Sequence, residues 1–179
     1  MSERVGRLLR PVRSSAGRSR LTVLTAPATI TVTSQAFDDG GAIPVRHAGH
    51  GVGDNVSPAL RWSGVPAGTA ALVIVLEDDD VPLPRPLWHT AAVVAPNLDH
   101  LADGALQEGA EGIFFLKTPL GRRYSGPRPI PGHGVHHYRF HILALNQPLD
   151  PATTRARHLV HDIRNKVTAR GMLTGTFSR

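Results

Sequence analysis

His136 and Tyr138 stand two residues apart at the start of the apolar alternation Phe140-His-Ile-Leu-Ala-Leu145, behind a Gly/Pro-rich loop that begins at Tyr124. Strand side chains alternate faces, so this imidazole and phenol project the same way. A second group of ionisable residues follows the apolar run Leu72-Val-Ile-Val-Leu76, which ends abruptly in Glu77-Asp78-Asp79-Asp80-Val-Pro82. Directly after Trp88, His89 opens a third apolar run that reaches Val94. Three strand ends carrying titratable side chains in apolar surroundings describe the walls of a small polar pocket. Histidine donates through a ring nitrogen, through both when protonated, and tyrosine adds a hydroxyl, so these donors suit an anion. Asp78 and Asp80 would repel an anion directly. Their expected part is to accept from an imidazole, which fixes its tautomer and raises its pKa toward the charged donor.

Each residue alone has a plainer reading. Strand-end aspartates commonly satisfy local backbone donors, and one histidine on an apolar strand, such as His141, is ordinarily a satisfied core or surface group. Only the joint placement of Asp78, Asp80, His89, His136 and Tyr138 points to a pocket.

The elements that must position these groups are mainly strands. Alternating or β-branched segments at Leu21–Thr25, Ala28–Ser34, Leu60–Trp62, 70–77, 88–95, 113–116 and 136–146 are separated by turns, and the chain contains 18 glycines and 15 prolines. The period changes after Asp150-Pro151, an N-cap followed by a proline at the first helical position. Leu159, Ile163 and Val167 recur at i, i+4 and i+8, with Gly171 placed to close the helix. The pattern predicts four to five helical turns covering an open face of a β domain.

Composition removes several function classes. The chain has 179 residues and no cysteine, so disulfides, thiolate metal sites and cysteine nucleophiles are out. No apolar run approaches the roughly 18 residues of a membrane span. The formal net charge is +6, and residues 1–26 hold six arginines against Glu3 alone. That segment reads as a basic N-terminal arm preceding a single domain at 27–179. It lacks the apolar core of a secretory signal, which favours a cytoplasmic protein. The arm either packs on its own domain or a partner subunit, or touches anionic lipid or another polyanion. No nucleophile elbow, phosphate loop of the Gly-Lys-Ser type or His-Glu-x-x-His helix is present.

Five motifs in order resemble the phosphatidylethanolamine-binding proteins, most closely their bacterial Raf kinase inhibitor-like branch. They are Asn55-Val-Ser57-Pro58-Ala-Leu60-Arg-Trp62 running to Pro66-Ala-Gly68-Thr69; Asp78-Asp79-Asp80-Val81-Pro82; His89 with Pro96; Tyr124-Ser-Gly126-Pro127 with His136-His137-Tyr138; and Gly175-Thr176-Phe177-Ser178-Arg179. The resemblance implies a mostly β fold, a Greek-key β-sandwich with a C-terminal amphipathic helix. It also implies a surface cavity for phosphate-containing headgroups, mapping to Asp78, Asp80, His89, Gly126, His136 and Tyr138.

The chain departs from that pattern at several positions. Asp79 replaces a proline, crowding a third carboxylate beside the pocket. Thr90 replaces a bulky aromatic and His137 an arginine. Arg128 and Ile130 stand where many members have Gly or Pro, so Arg128 either supplies a fixed cation to a phosphate or plugs the opening.

The expected function is non-enzymatic binding of a phosphate-type anion or phospholipid headgroup, without cofactor or metal. An aspartate is the alternative holder of an ethanolamine ammonium. Charge-assisted hydrogen bonds contribute about 1.5–3 kcal/mol each, so three of them, less the association cost, give a millimolar to upper-micromolar site. A homodimer and a protein target are the macromolecular partners this reading admits, with no specific nucleic acid. The competing reading is a metal-dependent hydrolase that uses the His/Asp cluster.

Overall fold

In the computed structural model, which describes residues 2–179, the apolar runs pair into two antiparallel sheets. The smaller sheet joins β1 (Thr31–Thr33), β2 (Leu60–Ser63) and β5 (His100–Leu101) in the order β1-β2-β5. The larger contains β3 (Ala71–Asp78), β4 (Leu87–Val94), β6 (Ile113–Phe115), β7 (His136–Leu145) and β8 (Val167–Phe177), in the order β6-β4-β3-β7-β8. β3 and β4 are consecutive neighbours, whereas β7 returns over a long connection to lie against the other edge of β3. That return gives the sandwich its Greek-key character.

The large sheet is covered on both faces. Leu72, Ile74, Leu76, Phe140 and Ile142 meet Val32, Leu60 and Trp62 of the small sheet in one core. Val73, Val75, Ala91, Val93 and Leu143 meet Leu21, Leu24, Leu149, Leu159 and Ile163 in the other. Every residue of β3 is consequently buried, and this is why its sequence runs continuously apolar from Ala71 to Leu76 rather than alternating. Each fully buried aliphatic side chain there contributes about 1.5–3 kcal/mol.

Two sequence expectations change. Leu21–Thr25 is not a strand: Arg20–Val23 forms a 3-10 turn started by the Ser19 hydroxyl, which accepts from the Leu21 amide at 3.1 Å. The C-terminal helix is present but short, α2 at Leu159–Ile163, and it does pack Leu159 and Ile163 onto the sheet. Asp150 caps only a turn, accepting from the Ala152 amide at 2.9 Å. From Val167 the chain is strand, because pairing along β7 satisfies its backbone and aligns Leu173 and Phe177 with the core. Gly171 is therefore not a helix stop. It lies where the Ile30 carbonyl crosses β8, and a Cβ there would collide with that oxygen.

Residues 2–26 are an ordered arm. They begin with α1 (Glu3–Leu9), whose Gly6 packs directly on the Pro131 carbonyl, a contact that leaves no room for a side chain.

Candidate functional site

The β3–β7 register places Asp78 opposite Tyr138, and His136 lies one alternation further along the same face of β7. The remaining ring arrives through an irregularity. Leu76 pairs with Thr90 but Glu77 pairs with Trp88, so His89 is an extra residue on β4. Such a bulge re-aims side chains. Here it turns His89 and Thr90 to the inner side while Trp88 keeps to the outer one. The His89 and Tyr138 rings meet edge-on with centroids 5.4 Å apart, and the His136 ring stacks 6.3 Å from that of Tyr138.

Gly126 closes the rim. Asn55, in the left-handed region at φ 57°, accepts from the Gly126 amide at 2.9 Å and donates to the Tyr124 carbonyl at 3.1 Å. A side chain at Gly126 would strike the His47 carbonyl. His89 Nδ1 donates to the neighbouring Ser125 carbonyl at 3.0 Å. The Asn55 motif therefore builds the wall on which His89 is oriented.

The electrostatics differ from expectation at His89. Burial lowers its pKa, outweighing the Asp78 charge and the Ser125 and Gly126 carbonyls that act the other way. The ring is held neutral, with its Nδ1 hydrogen committed to Ser125 and its Nε2 lone pair 3.8 Å from Asp78. It presents an acceptor rather than a charged donor. Tyr138 is fully buried, and its hydroxyl makes no well-formed hydrogen bond among the described residues, although Asp78 and the Arg128 amide lie near enough to act on it. Burial first, and then the charge of Asp78, raise its pKa well above the usual phenol value, so the hydroxyl keeps its proton.

His133 is the residue that sequence reasoning passed over. Its Nε2 lies 2.9 Å from the Leu9 carbonyl and 3.2 Å from that of Val12, so this nitrogen carries a hydrogen. Its Nδ1 is 2.6 Å from His136 Nε2, and His136 Nδ1 is 2.9 and 3.0 Å from the two oxygens of Asp78. The two imidazoles thus form a continuous polar chain from the arm to Asp78. The sequence signal was Gly132-His133-Gly134, three residues before His136.

Asp80 sits at the rim rather than among the rings. It accepts from Arg13 Nη1 at 2.8 Å and from the His137 ring and amide, each at 2.8 Å. Burial alone would raise its pKa, but these donors outweigh burial and hold it below the usual carboxylate value. Arg13 also bonds the Val135 and His133 carbonyls, so the arm is fastened to the loop that leads into His136. His136 is 1% exposed and His89 5%. Two further side chains lie elsewhere. The Arg128 side chain is at the surface and donates to the His50 carbonyl at 3.3 Å, while its backbone acts on the Tyr138 hydroxyl. Asp79 is not beside the pocket, because alternation sends it to the opposite face, paired with Arg139.

A family model described as phosphatidylethanolamine-binding protein matches residues 33–178. UPF0098 protein Rv1910c of Mycobacterium tuberculosis is 34% identical over 173 residues, covering 94% of this chain and 80% of that protein. UPF0098 protein PYRAB11530 of Pyrococcus abyssi is 31% identical over 153 residues, covering 82% and 84%. Among solved structures, E. coli YbcL, described as a new member of the mammalian PEBP family, superposes with a TM-score of 0.76 at 26% identity, over 85% of this chain and 99% of its own.

Proposed function

The chain belongs to the phosphatidylethanolamine-binding protein family, whose members are in general non-catalytic binding proteins, and from that premise we propose that the buried cluster binds a phosphate-type anion or phospholipid headgroup. The observation that carries this reading is the buried Tyr138 hydroxyl, which lacks a well-formed hydrogen bond among the described residues, with the His89 ring edge-on beside it. A buried donor without a partner costs about 1–3 kcal/mol, which a ligand that accepts from it would recover, and the His89 Nε2 lone pair can take a hydrogen from the same ligand. A phosphomonoester monoanion does both, accepting from Tyr138 and offering its own P–OH to His89 or Asp78.

This chemistry sets a pH dependence. The second phosphate ionisation lies near 6, and a lowered His89 pKa means that the ring gains its proton only in acid. The first effect strengthens binding as pH falls through about 6, while the second keeps the His89 Nε2 acceptor available to the P–OH there. Titrating phosphoethanolamine and inorganic phosphate against histidine ring NMR signals tests the reading. Saturable shifts of His89 and His136 are expected, with affinity rising toward acid and weakened about tenfold or more in His136→Ala. Flat titrations at both ends of that range would end it.

The hydrolase alternative draws no support from the geometry. Among the described residues no three His, Asp or Glu side chains are grouped as a metal ion requires, and Asp78 is already engaged by His136 and the Asp80 amide. A second copy of the chain is the macromolecular partner most easily tested, by sedimentation with and without phosphoethanolamine.

A further inference from the structure

The outer face of β3 and β7 carries a second set of charged groups, separate from the proposed headgroup site. Glu77 is wholly buried, accepting from Ser19 Oγ at 2.8 Å and Trp88 Nε1 at 2.9 Å. Its other oxygen lies 3.3 Å from Arg139 Nη2 and 3.5 Å from His141 Nε2. The same Arg139 Nη2 pairs with Asp79. Beside this cluster, between the arm's 3-10 turn and strands β7 and β8, lies a cavity of about 300 Å³. Arg139, His141 and Arg170 line it together with Leu24, Leu143 and Met172.

Among the described residues the buried Arg139 Nε lines this cavity without a hydrogen-bond partner, whereas His141 Nε2 already has Glu77 at 3.5 Å. A native interior rarely leaves such atoms unpaired, and each one asks for a missing partner. Arg139 Nε is an obligatory donor. At the rim, the exposed Arg170 commits only Nη1, to the Leu24 carbonyl at 3.3 Å, leaving further guanidinium hydrogens. The opposite wall is aliphatic.

We propose that this cavity is a second binding site, taking a small organic monoanion whose carboxylate or phosphate head meets Arg139 Nε and Arg170 and whose short apolar tail lies against Leu24, Leu143 and Met172. The fixed charges around it are Arg139 and Arg170 against Glu77 and Asp79, with His141 facing them. Burial raises the Asp79 pKa to about 6 despite Arg139, and burial lowers that of His141. Protonation of Asp79 removes one negative charge from the cluster, so anion binding tightens as pH falls through about 6. Because the arm's turn forms one wall, occupancy also stiffens the arm.

Met172 provides the readout, since the chain has one other methionine, Met1. The ¹³C-methyl signal of Met172 is followed in the full-length protein during titration with octanoate, octyl phosphate, acetate and octylamine near pH 6. Saturable shifts with octanoate or octyl phosphate are expected, acetate at least about tenfold weaker for want of the tail, and no saturation by octylamine. Arg139→Ala would strand Glu77 and Asp79 and endanger folding, so the variant of choice is the surface change Arg170→Glu, expected to weaken binding about tenfold or more. His136→Ala should leave this titration unchanged, which separates it from the headgroup site. A Met172 signal unmoved by both octyl anions in folded protein overturns the proposal. So does equal binding of octylamine, or loss of binding in His136→Ala.

Discussion

At Asp79 the balance between burial and pairing can be read in one residue. Burial raises its carboxyl to about 6, more than the adjacent Arg139 lowers it. The folded state therefore holds a proton that the unfolded chain, with an ordinary aspartate near 3.8, releases earlier. Folded protein binds more protons between those values, so this residue's contribution to stability is full below about 3.8 and declines as pH rises through about 6. Asp79→Asn mimics the protonated form. It should match wild type in acid and exceed it at pH 8 by on the order of 2 kcal/mol, as read by denaturant unfolding at the two pH values. A variant less stable at both would show that the Arg139 ion pair outweighs burial after all. Glu77 behaves differently: burial would raise it, but His141, Ser19 and Trp88 together hold its pKa below the usual value. Glu77→Leu should accordingly cost about 3–5 kcal/mol, because Arg139 and His141 lose a buried acceptor.

Between elements, close backbone approaches matter as much as side-chain packing. Gly171 lets β8 pass under the Ile30 carbonyl, whose amide in turn donates to the Arg170 carbonyl at 3.1 Å. Gly171→Ala must push β8 off this crossing and should destabilise by about 1–3 kcal/mol, visible as a lower denaturant midpoint. The arm and the 130–136 loop are a second such contact. Arg10 Nε donates to the Gly132 carbonyl at 2.8 Å, Arg13 holds Asp80, and His133 bridges to the Leu9 carbonyl. Through the His133–His136 contact this clasp adjoins the proposed headgroup site. Arg13→Ala is therefore expected to speed phosphoethanolamine association, measured by line-shape analysis of the His136 signal. An association rate equal to wild type would mean that entry runs by another path.

For the molecule as a whole, half of the arm's six arginines are engaged rather than forming a loose cationic tail. Arg7 pairs with Glu3, while Arg10 and Arg13 reach across to the domain. Ser14 donates its amide to the Val81 carbonyl at 2.9 Å, and Leu21 and Leu24 fill the outer core. Deleting residues 1–13 should lower the unfolding midpoint and expose the His133 and His136 rings to solvent, rather than merely removing affinity for anionic vesicles. A truncated protein as stable as the full chain, differing only in salt-sensitive vesicle binding, would instead mark the arm as an accessory polyanion binder.

Local spacing determined much of this protein. The continuous apolar run 72–76, the alternation after Tyr138 and the five ordered motifs were enough to set strands, fold and family, because strand period and burial are written residue by residue. The same alternation put His136 and Tyr138 on one face. Tertiary structure decided what depends on contacts distant in sequence. The β3–β4 bulge that turns His89 inward, the reversal of that ring's expected pKa shift by burial, and the placement of His133 between arm and site have no local signature. Nor does the choice between helix and strand at Val167, where the pattern fits both and the open edge of β7 selects strand. Arg128, assigned to the pocket by its loop position, turns outward because the His50 carbonyl offers its guanidinium an acceptor that no spacing rule could reveal.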